Sequence, residues 1–379
     1  MSQYFWVPKP QFRPVPASKL ERWYGRDSVD RISANMKDWY GPPVALTHMP
    51  GNVVAVKGGD FAGQMFGNQF TDPFYRGMAR AHALFQGIRH SERGTGFTSL
   101  SDLIAEASAG KRREFMFNKA IATAPGTAGE SVSLTQLGPV PAAAANAAAA
   151  PGGEACVDSN TGFPLFANPT NPDTQHIVSA WGSSSVINRS LLLYDCLFRV
   201  NKTMNSTATE AVTGVPTRYQ STTGGAADSA EGNFLFIQVG ATVLAATAHN
   251  WTTCLYTDQA GVSSTLPSVV GQSAAAVHQL DMPVNQWFAP LAAGDTGIQQ
   301  LDQMQCSALV ATGVINFVIG HPIAWMMFPI ALFMTPFDYI STAFNLARVF
   351  DDAALALMDV AMPASSAATF NVHIVTVAG

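Results

Sequence analysis

The sequence predicts a mainly β protein: an antiparallel β-sandwich or jelly-roll body with one short helix, behind an extended, partly helical N-terminal region. Three observations point there. Short runs of Val, Ile, Phe and Tyr are separated by turn residues rather than by long helical patterns. The final "TFNVHIVTVAG" alternates Phe370, Val372 and Ile374 with Asn371 and His373, the period of a half-buried strand. The most apolar stretch, "INFVIGHPIAWMMFPIALFMTPFDYI" (315–340), carries Pro322, Pro329 and Pro336, and each would cost about 3 kcal/mol in a helix interior.

That stretch also raises the question of a membrane span. No charged residue falls between Asp302 and Asp338, a length sufficient for the roughly 20 apolar residues of a spanning helix. The three prolines, together with Gly313, Asn316, Gly320 and His321 and the absence of a flanking Lys/Arg cluster, favour buried strands in a water-soluble protein instead. Residues 309–319 read as a strand covered on both faces, closed by Pro322, and a second apolar segment starts at Ala324 and runs to Leu332.

Taken in order, residues 1–96 form an arm and a basic, Gly-rich head region, and residues 97–379 a β-rich body. In residues 1–20, Pro8, Pro10, Pro14 and Pro16 hold an extended backbone, and Phe5, Trp6 and Phe12 offer apolar surface with no local fold to bury it. These features predict an assembly arm that docks on a neighbouring subunit. A short helix is expected within 18–40 and a strand in "VVAVKGGDF". The clearest helix is "TSLSDLIAEASAGKRR": Ser99 caps it with Asp102 three residues on, Leu100, Leu103, Ile104 and Ala107 make its apolar stripe, and Gly110 stops it. The bracketing prolines and glycines of "PVPAAAANAAAAPGG" (139–153) predict a loop despite its alanines. From about residue 160 the pattern is β, with strands at 234–244 and 251–257 and a turn in "DQAG" at 258–261.

Composition narrows the function. Charged residues make up 12%, about half the usual share, so the surface suits a subunit covered by neighbours. Sixteen of the 21 Lys and Arg lie in residues 1–120 beside 10 acids, net +6, while residues 121–379 hold 5 bases and 16 acids, net −11, together the −5 of the chain. Only Lys111-Arg112-Arg113 forms a basic run and acids interleave with the other bases, which disfavours nucleic acid as a partner. No basic-then-apolar secretory pattern opens the chain, and the wide separation of Cys156, Cys196, Cys254 and Cys306 predicts four isolated, buried, reduced thiols.

Candidate chemistry is sparse. "GDTG" (294–297) matches the turn that presents an aspartic-protease carboxylate, but that chemistry needs a second facing aspartate and the chain has no second such motif. A β-turn in which Asp295 caps backbone amides is expected instead. The histidines lack short metal-ligand spacing, and Asp351 and Asp352, adjacent in a strand, would point to opposite faces. No nucleophile elbow or phosphate loop occurs. No catalytic, cofactor-binding or metal-ligating residue is therefore assigned, and no enzyme activity and no cofactor are expected.

"WFAPLAAGDTGIQQLDQMQCSALVATGVINFVI" (287–319) and "LARVFDDAALALMDVAMPASSAATFNVHIVTVAG" (346–379) resemble the C-terminal part of β-rich virion structural proteins of tailed bacteriophages. "TSLSDLIAEASAGKRREFMFNK" (98–119), "PLFANPTNP" (164–172), "SLLLYDCLF" (190–198) and "CLYTDQAG" (254–261) fit the same pattern in order, so the resemblance spans 97–379. It implies a structural component of the phage head, a capsid shell or capsid-decorating protein, made in the host cytoplasm and residing in the virion. Its partners would be further copies in a symmetric homo-oligomer and other head proteins, with no membrane. The alternatives are the major capsid subunit itself, or a tail-associated carbohydrate-binding or depolymerising protein. The last would want exposed aromatics beside paired carboxylates, and Trp251, Trp287 and Trp325 have none nearby in sequence.

Overall fold

A computed structural model describes residues 97, 99–122, 127–224, 226–342, 346–360 and 366–379. The expected arm with Phe5, Trp6 and Phe12, the helix within 18–40 and the strand at 53–61 lie outside the described residues. What is described is mainly β. Helix α1 (Leu100–Glu106) and a π turn (Ala107–Lys111) lead into β1 (Arg112–Ile121), β2 (Val132–Ser133), β3 (Pro139–Val140), β4 (Glu154–Ala155), β5 (Gln175–Ser184) and β6 (Arg189–Thr203). Then come β7 (Glu210–Ala211), β8 (Phe234–Val239), β9 (Asn250–Trp251), β10 (Leu255–Asp258), β11 (Ser263–Thr265), β12 (Val269–Val270) and β13 (Ile298–Met304). The chain closes through β14 (Val314–Phe328), β15 (Thr335–Asp338), α2 (Tyr339–Thr342), β16 (Arg348–Val349), β17 (Leu355–Asp359) and β18 (Ala368–Ala378).

These strands build antiparallel sheets in a sandwich-like arrangement. The central sheet runs β2-β17-β6-β14-β8 with β4 added to β6, and a second runs β15-β5-β18-β1-β3 with β16 added to β5. A third, smaller sheet runs β11-β10-β13-β7, and β9 pairs β12. Phe328 of β14 joins the two large sheets: its ring lies 6.5 Å from that of Phe370 on β18 and 5.7 Å from that of Phe337 on β15, and it covers Gly182 of β5.

The centre of the body is the 15-residue β6 paired along 15-residue β14. Both strands are buried almost throughout, so both faces of the sheet are covered. Phe317 meets the Trp251 ring edge-on at 4.9 Å on one face. Its neighbour Asn316, facing the opposite way, accepts from the amide of Ala147 (3.0 Å) and donates to Gln136 Oε1 (3.2 Å), which also accepts from Gln238 (2.7 Å). The alanine-rich loop is thus a cover for the central sheet. Asn201 donates to the Ala147 carbonyl and Arg199 to that of Ala145, while buried Ala144 and Ala147 let the backbone approach closely. Lys119, buried on β1, grips the same loop through the carbonyls of Leu137 (2.7 Å) and Pro141 (2.8 Å), and burial lowers its pKa to about 8.

Several expectations need correction. Pro322 does not close a strand; β14 runs through it. The partner β8 pairs only with 315–320, so the missing N–H of Pro322 faces no ladder on that side, and a register shift between Pro322 and Ala324 absorbs the ring. The strand expected at 309–319 begins only at Val314, and β14 ends at Phe328. Residues 329–334 are an exposed turn in place of a second buried segment, and Pro336 sits in the half-exposed edge strand β15. The run at 234–244 stops at Val239, and 251–257 is split between β9 and β10 at Thr253, whose φ is +52°. β structure starts at Arg112, well before residue 160, so Arg112 and Arg113 are strand residues rather than the helix end. In α1 the Ser99 cap is present, with Oγ accepting from Asp102 N at 3.1 Å, and Gly110 stops the turn at φ +86°. Of the expected stripe, however, only Leu103 is buried; Leu100 and Ile104 are exposed.

Gly320 lies where the central sheet is tightest. A Cβ there would come 2.7 Å from Tyr194 Cδ2 and 3.1 Å from Phe234 Cζ. Gly320→Ala is expected to lower unfolding stability by about 1–3 kcal/mol through overpacking, measured by denaturant unfolding against the wild type.

Candidate functional site

The sequence-selected carboxylates occupy structural roles. Asp295 follows a turn through Gly294 (φ +100°) closed by its own amide on the Ala292 carbonyl at 3.1 Å. Its carboxylate does not cap backbone amides as expected. It accepts the Tyr256 hydroxyl at 2.5 Å, and that hydroxyl in turn accepts the Ala292 amide at 2.8 Å. Burial and the Asp295 carboxylate together push the phenol up to about 12, so it stays a donor. Asp351 and Asp352 lie in a turn rather than a strand, and Asp352 exchanges hydrogen bonds with Asn168 at 2.7 and 2.9 Å. In "DQAG", Asp258 Oδ1 accepts the amides of Ala260 and Val262, which makes the expected turn.

Folding brings together groups that spacing kept apart. All four cysteines are free and buried, yet Cys156 and Cys196 are not isolated: their sulfurs lie 3.6 Å apart where β4 meets β6. Burial raises the Cys196 thiol well above its ordinary value and the Cys254 thiol to about 11, which keeps both protonated. His249 and Asp281, 32 positions apart, form a buried pair at 2.9 Å. The other ring nitrogen of His249 faces the Thr247 carbonyl at 2.9 Å. Both partners are acceptors, which favours a proton on each ring nitrogen and raises the His249 pKa above its ordinary value. Asp281 also accepts from Trp251 Nε1 (2.7 Å) and the Gln272 amide (2.6 Å). Both ring nitrogens are thus occupied inside the fold, and the pair braces Trp251. Among the described residues, no group of three or more His, Cys, Asp or Glu is placed to hold a metal ion.

The three tryptophans weighed for a sugar platform are largely covered. Trp251 and Trp287 are buried, and Trp325 is half-buried 6.3 Å from Trp287.

The surface offers apolar contact. The turn between β14 and β15, "PIALFM" (329–334), exposes Ile330, Leu332, Phe333 and Met334, with Leu332 81% exposed. Leu332 adopts φ +57°, a left-handed conformation unfavourable for a branched side chain, and its amide donates to the Ser184 carbonyl at 2.7 Å. That bond fastens the turn beside the β5–β6 connection, which exposes Ile187. The sequence marked this run as apolar but gave its burial wrongly, because apolarity alone does not say whether the cover belongs to the same chain.

The outer face of the second sheet is also open. Pro336, Trp181, His373 and Met116 stand opposite one another across four strands, with Pro336 and Met116 exposed and the Trp181 and His373 rings 4.3 Å apart.

No family model matches the chain, and no curated protein matches it at a significant level. Among solved structures, "Structure of infectious bursal disease virus Gt strain" is aligned over 70% of this chain and 80% of that chain at 10% identity, with a TM-score of 0.14, a likeness that carries no argument.

Two outcomes follow for these sites. Burial opposes the charge on His249, but Asp281 and the Thr247 carbonyl outweigh it and raise its pKa above 6.5. The pair's contribution to stability is therefore fully present below pH 6.5 and lost as pH rises through the raised value. The stability difference between wild type and His249→Gln should shrink as pH rises above 6.5; denaturant midpoints across a pH series check it, and a pH-independent difference contradicts it. Asp295→Asn, which still accepts the Tyr256 hydroxyl, should leave stability nearly unchanged, whereas Asp295→Leu should lose about 1 kcal/mol. A protease activity abolished by the Asn variant would contradict the structural role.

Proposed function

We propose that this chain is a structural component of a tailed-phage head, a capsid shell or capsid-decorating protein that works by assembling through subunit contacts. The observation that carries the reading is the division of its side chains. All five bases beyond residue 121 are used inside the fold: Arg189 pairs with Asp359, Arg199 with Glu154, Lys202 with Glu210 and Arg218 with Asp195, while Arg348 lies 4.1 Å from the centre of the Phe350 ring. Large apolar side chains, meanwhile, stay at the surface in the 329–334 turn, and Met116 is exposed on the open sheet face. A freely diffusing protein loses solubility through contiguous apolar patches, and the 329–334 turn presents one. Burying such patches between copies stabilises a shell by about 25 cal/mol per Å². The same features suit the major capsid subunit, and the resemblance of 97–379 to phage virion proteins supports both readings. No enzyme activity, cofactor or membrane enters this function; the protein would be made in the host cytoplasm and reside in the virion.

Residues 1–20 would supply the arm, through apolar contacts of Phe5, Trp6 and Phe12. Deleting 1–20 should leave the circular dichroism of the body unchanged and abolish assembly, read by sedimentation velocity and negative-stain images of the full chain, alone and with phage heads. High salt should weaken assembly only modestly, since exposed ion pairs contribute about 0–1 kcal/mol each. A full-length chain that stays monomeric and fails to bind heads would contradict the proposal, as would normal assembly of the truncated chain.

A further inference from the structure

We infer that Cys156 and Cys196 form a redox-modification site, at which a peroxide converts two buried thiols into a disulfide that fastens the alanine-rich cover to the central sheet. The inference is independent of the assembly reading. Its first support is the course of the chain. From Ala147 to Cys156 it lies along β6: the Asn201 side chain donates to the Ala147 carbonyl, the Asn201 amide to that of Ala148 (2.9 Å), and the Ala150 amide to that of Asn201 (3.3 Å). Glu154 and Ala155 then pair with Arg199 and Phe198, and the Cys156 amide donates to the Leu197 carbonyl at 3.0 Å. Where this run ends, β6 carries an extra residue: Ile319 of β14 faces Phe198 and Gly320 faces Cys196, which leaves Leu197 over as a bulge. A bulge interrupts the alternation of side chains along a strand and re-aims them. At this one the Cys196 sulfur lies 3.6 Å from that of Cys156, with both residues shut off from solvent.

The second support is the chemistry that this contact allows. An S–S bond is about 2 Å long, so the sulfurs have only a small distance to close. β4 is held to β6 by two residue pairs, a short piece whose local opening admits a small uncharged peroxide. One sulfur attacks a peroxide oxygen; the O–O bond breaks, a water leaves with that thiol's proton, and a sulfenic acid forms. The second sulfur then attacks the first. The S–S bond forms, the S–O bond breaks, and the oxygen departs as a second water with the second thiol's proton. Two electrons pass from the pair of sulfurs to the peroxide. Because the second thiol is already in contact, the sulfenic acid is captured by its neighbour rather than by more peroxide. The bond spans 40 positions of sequence, and a cross-link of that reach removes conformational freedom from the unfolded chain. The oxidised chain is therefore the more stable one.

The test treats the full chain, purified reduced and freed of reductant, with hydrogen peroxide under native conditions, then unfolds it in an alkylating reagent and maps the cysteines by mass spectrometry. The expected product joins Cys156 to Cys196 within one chain, lacking the two thiol hydrogens. The denaturant midpoint of the treated chain should be higher without dithiothreitol in the denaturant than with it, a comparison that methionine oxidation leaves unaffected because dithiothreitol acts on the disulfide alone. Cys156→Ser, treated in the same way, should show no such difference; should that variant fail to fold, the two wild-type measurements decide. Free, alkylated Cys156 and Cys196 after treatment would overturn the inference, as would sulfinic or sulfonic acid at either residue, or a link from either to another cysteine or to a second chain. Equal midpoints with and without dithiothreitol in a chain that carries the link would overturn its fastening role.

Discussion

Two long strands that cannot face water on either side set the terms for the rest of this body. β6 and β14 pair along nearly their whole length with both faces buried, and each face needs its own cover. On one face the cover is Trp251, held by the His249–Asp281 brace. On the other it is the alanine-rich loop, held by Asn316, Asn201 and Lys119. Such a sheet is stable only while the polar groups on its strands find partners, because an unpaired buried donor or acceptor costs about 1–3 kcal/mol.

That requirement explains where the cations go. Arg189, Arg199 and Lys202 lie on β6 itself, and Arg218 reaches in to bind Asp195 of β6 in two bonds of 2.8 and 2.7 Å. Each is matched by an acid, and for the two pairs buried on both sides, Arg189–Asp359 and Arg218–Asp195, removing one member costs about 3–5 kcal/mol because the other is left uncompensated. With its bases spent inside, the body from residue 121 presents acids and apolar side chains to its surroundings. The acidic excess from residue 121 onward is set by composition, 16 acids against 5 bases, and the pairs inside the fold remove one acid for each of four bases.

Local signals were the legible ones. Ser99 caps α1, Gly110 ends its turn, Asp258 shapes the "DQAG" turn and the alternation around Phe370 marks β18, because each depends on residues a few positions apart. The misreadings share a cause in pairing that is distant in sequence. Pro322 looked like a strand end because its tolerance depends on where β8 stops, about 85 positions earlier. Leu100 and Ile104 looked like a core-facing stripe, and only the packing shows that they are exposed. The His249–Asp281 brace and the close approach of Cys156 and Cys196 have no spacing signature at all. The 329–334 turn was read as core, and its exposure, invisible to an apolarity count, is what makes it a candidate contact.

The central claim is that the body is complete around β6 and β14 and that the assembly we propose covers the exposed 329–334 turn. Amide hydrogen exchange, compared between dilute unassembled chain and assembled material, tests it most directly. The account predicts that amides of β6 and β14 are protected equally in both samples, and that amides of Ile330, Phe333 and Met334 exchange fast in the dilute chain and slowly once assembled. Equal exchange of the turn in both samples, or fast exchange of β6 and β14 in the dilute chain, would contradict it.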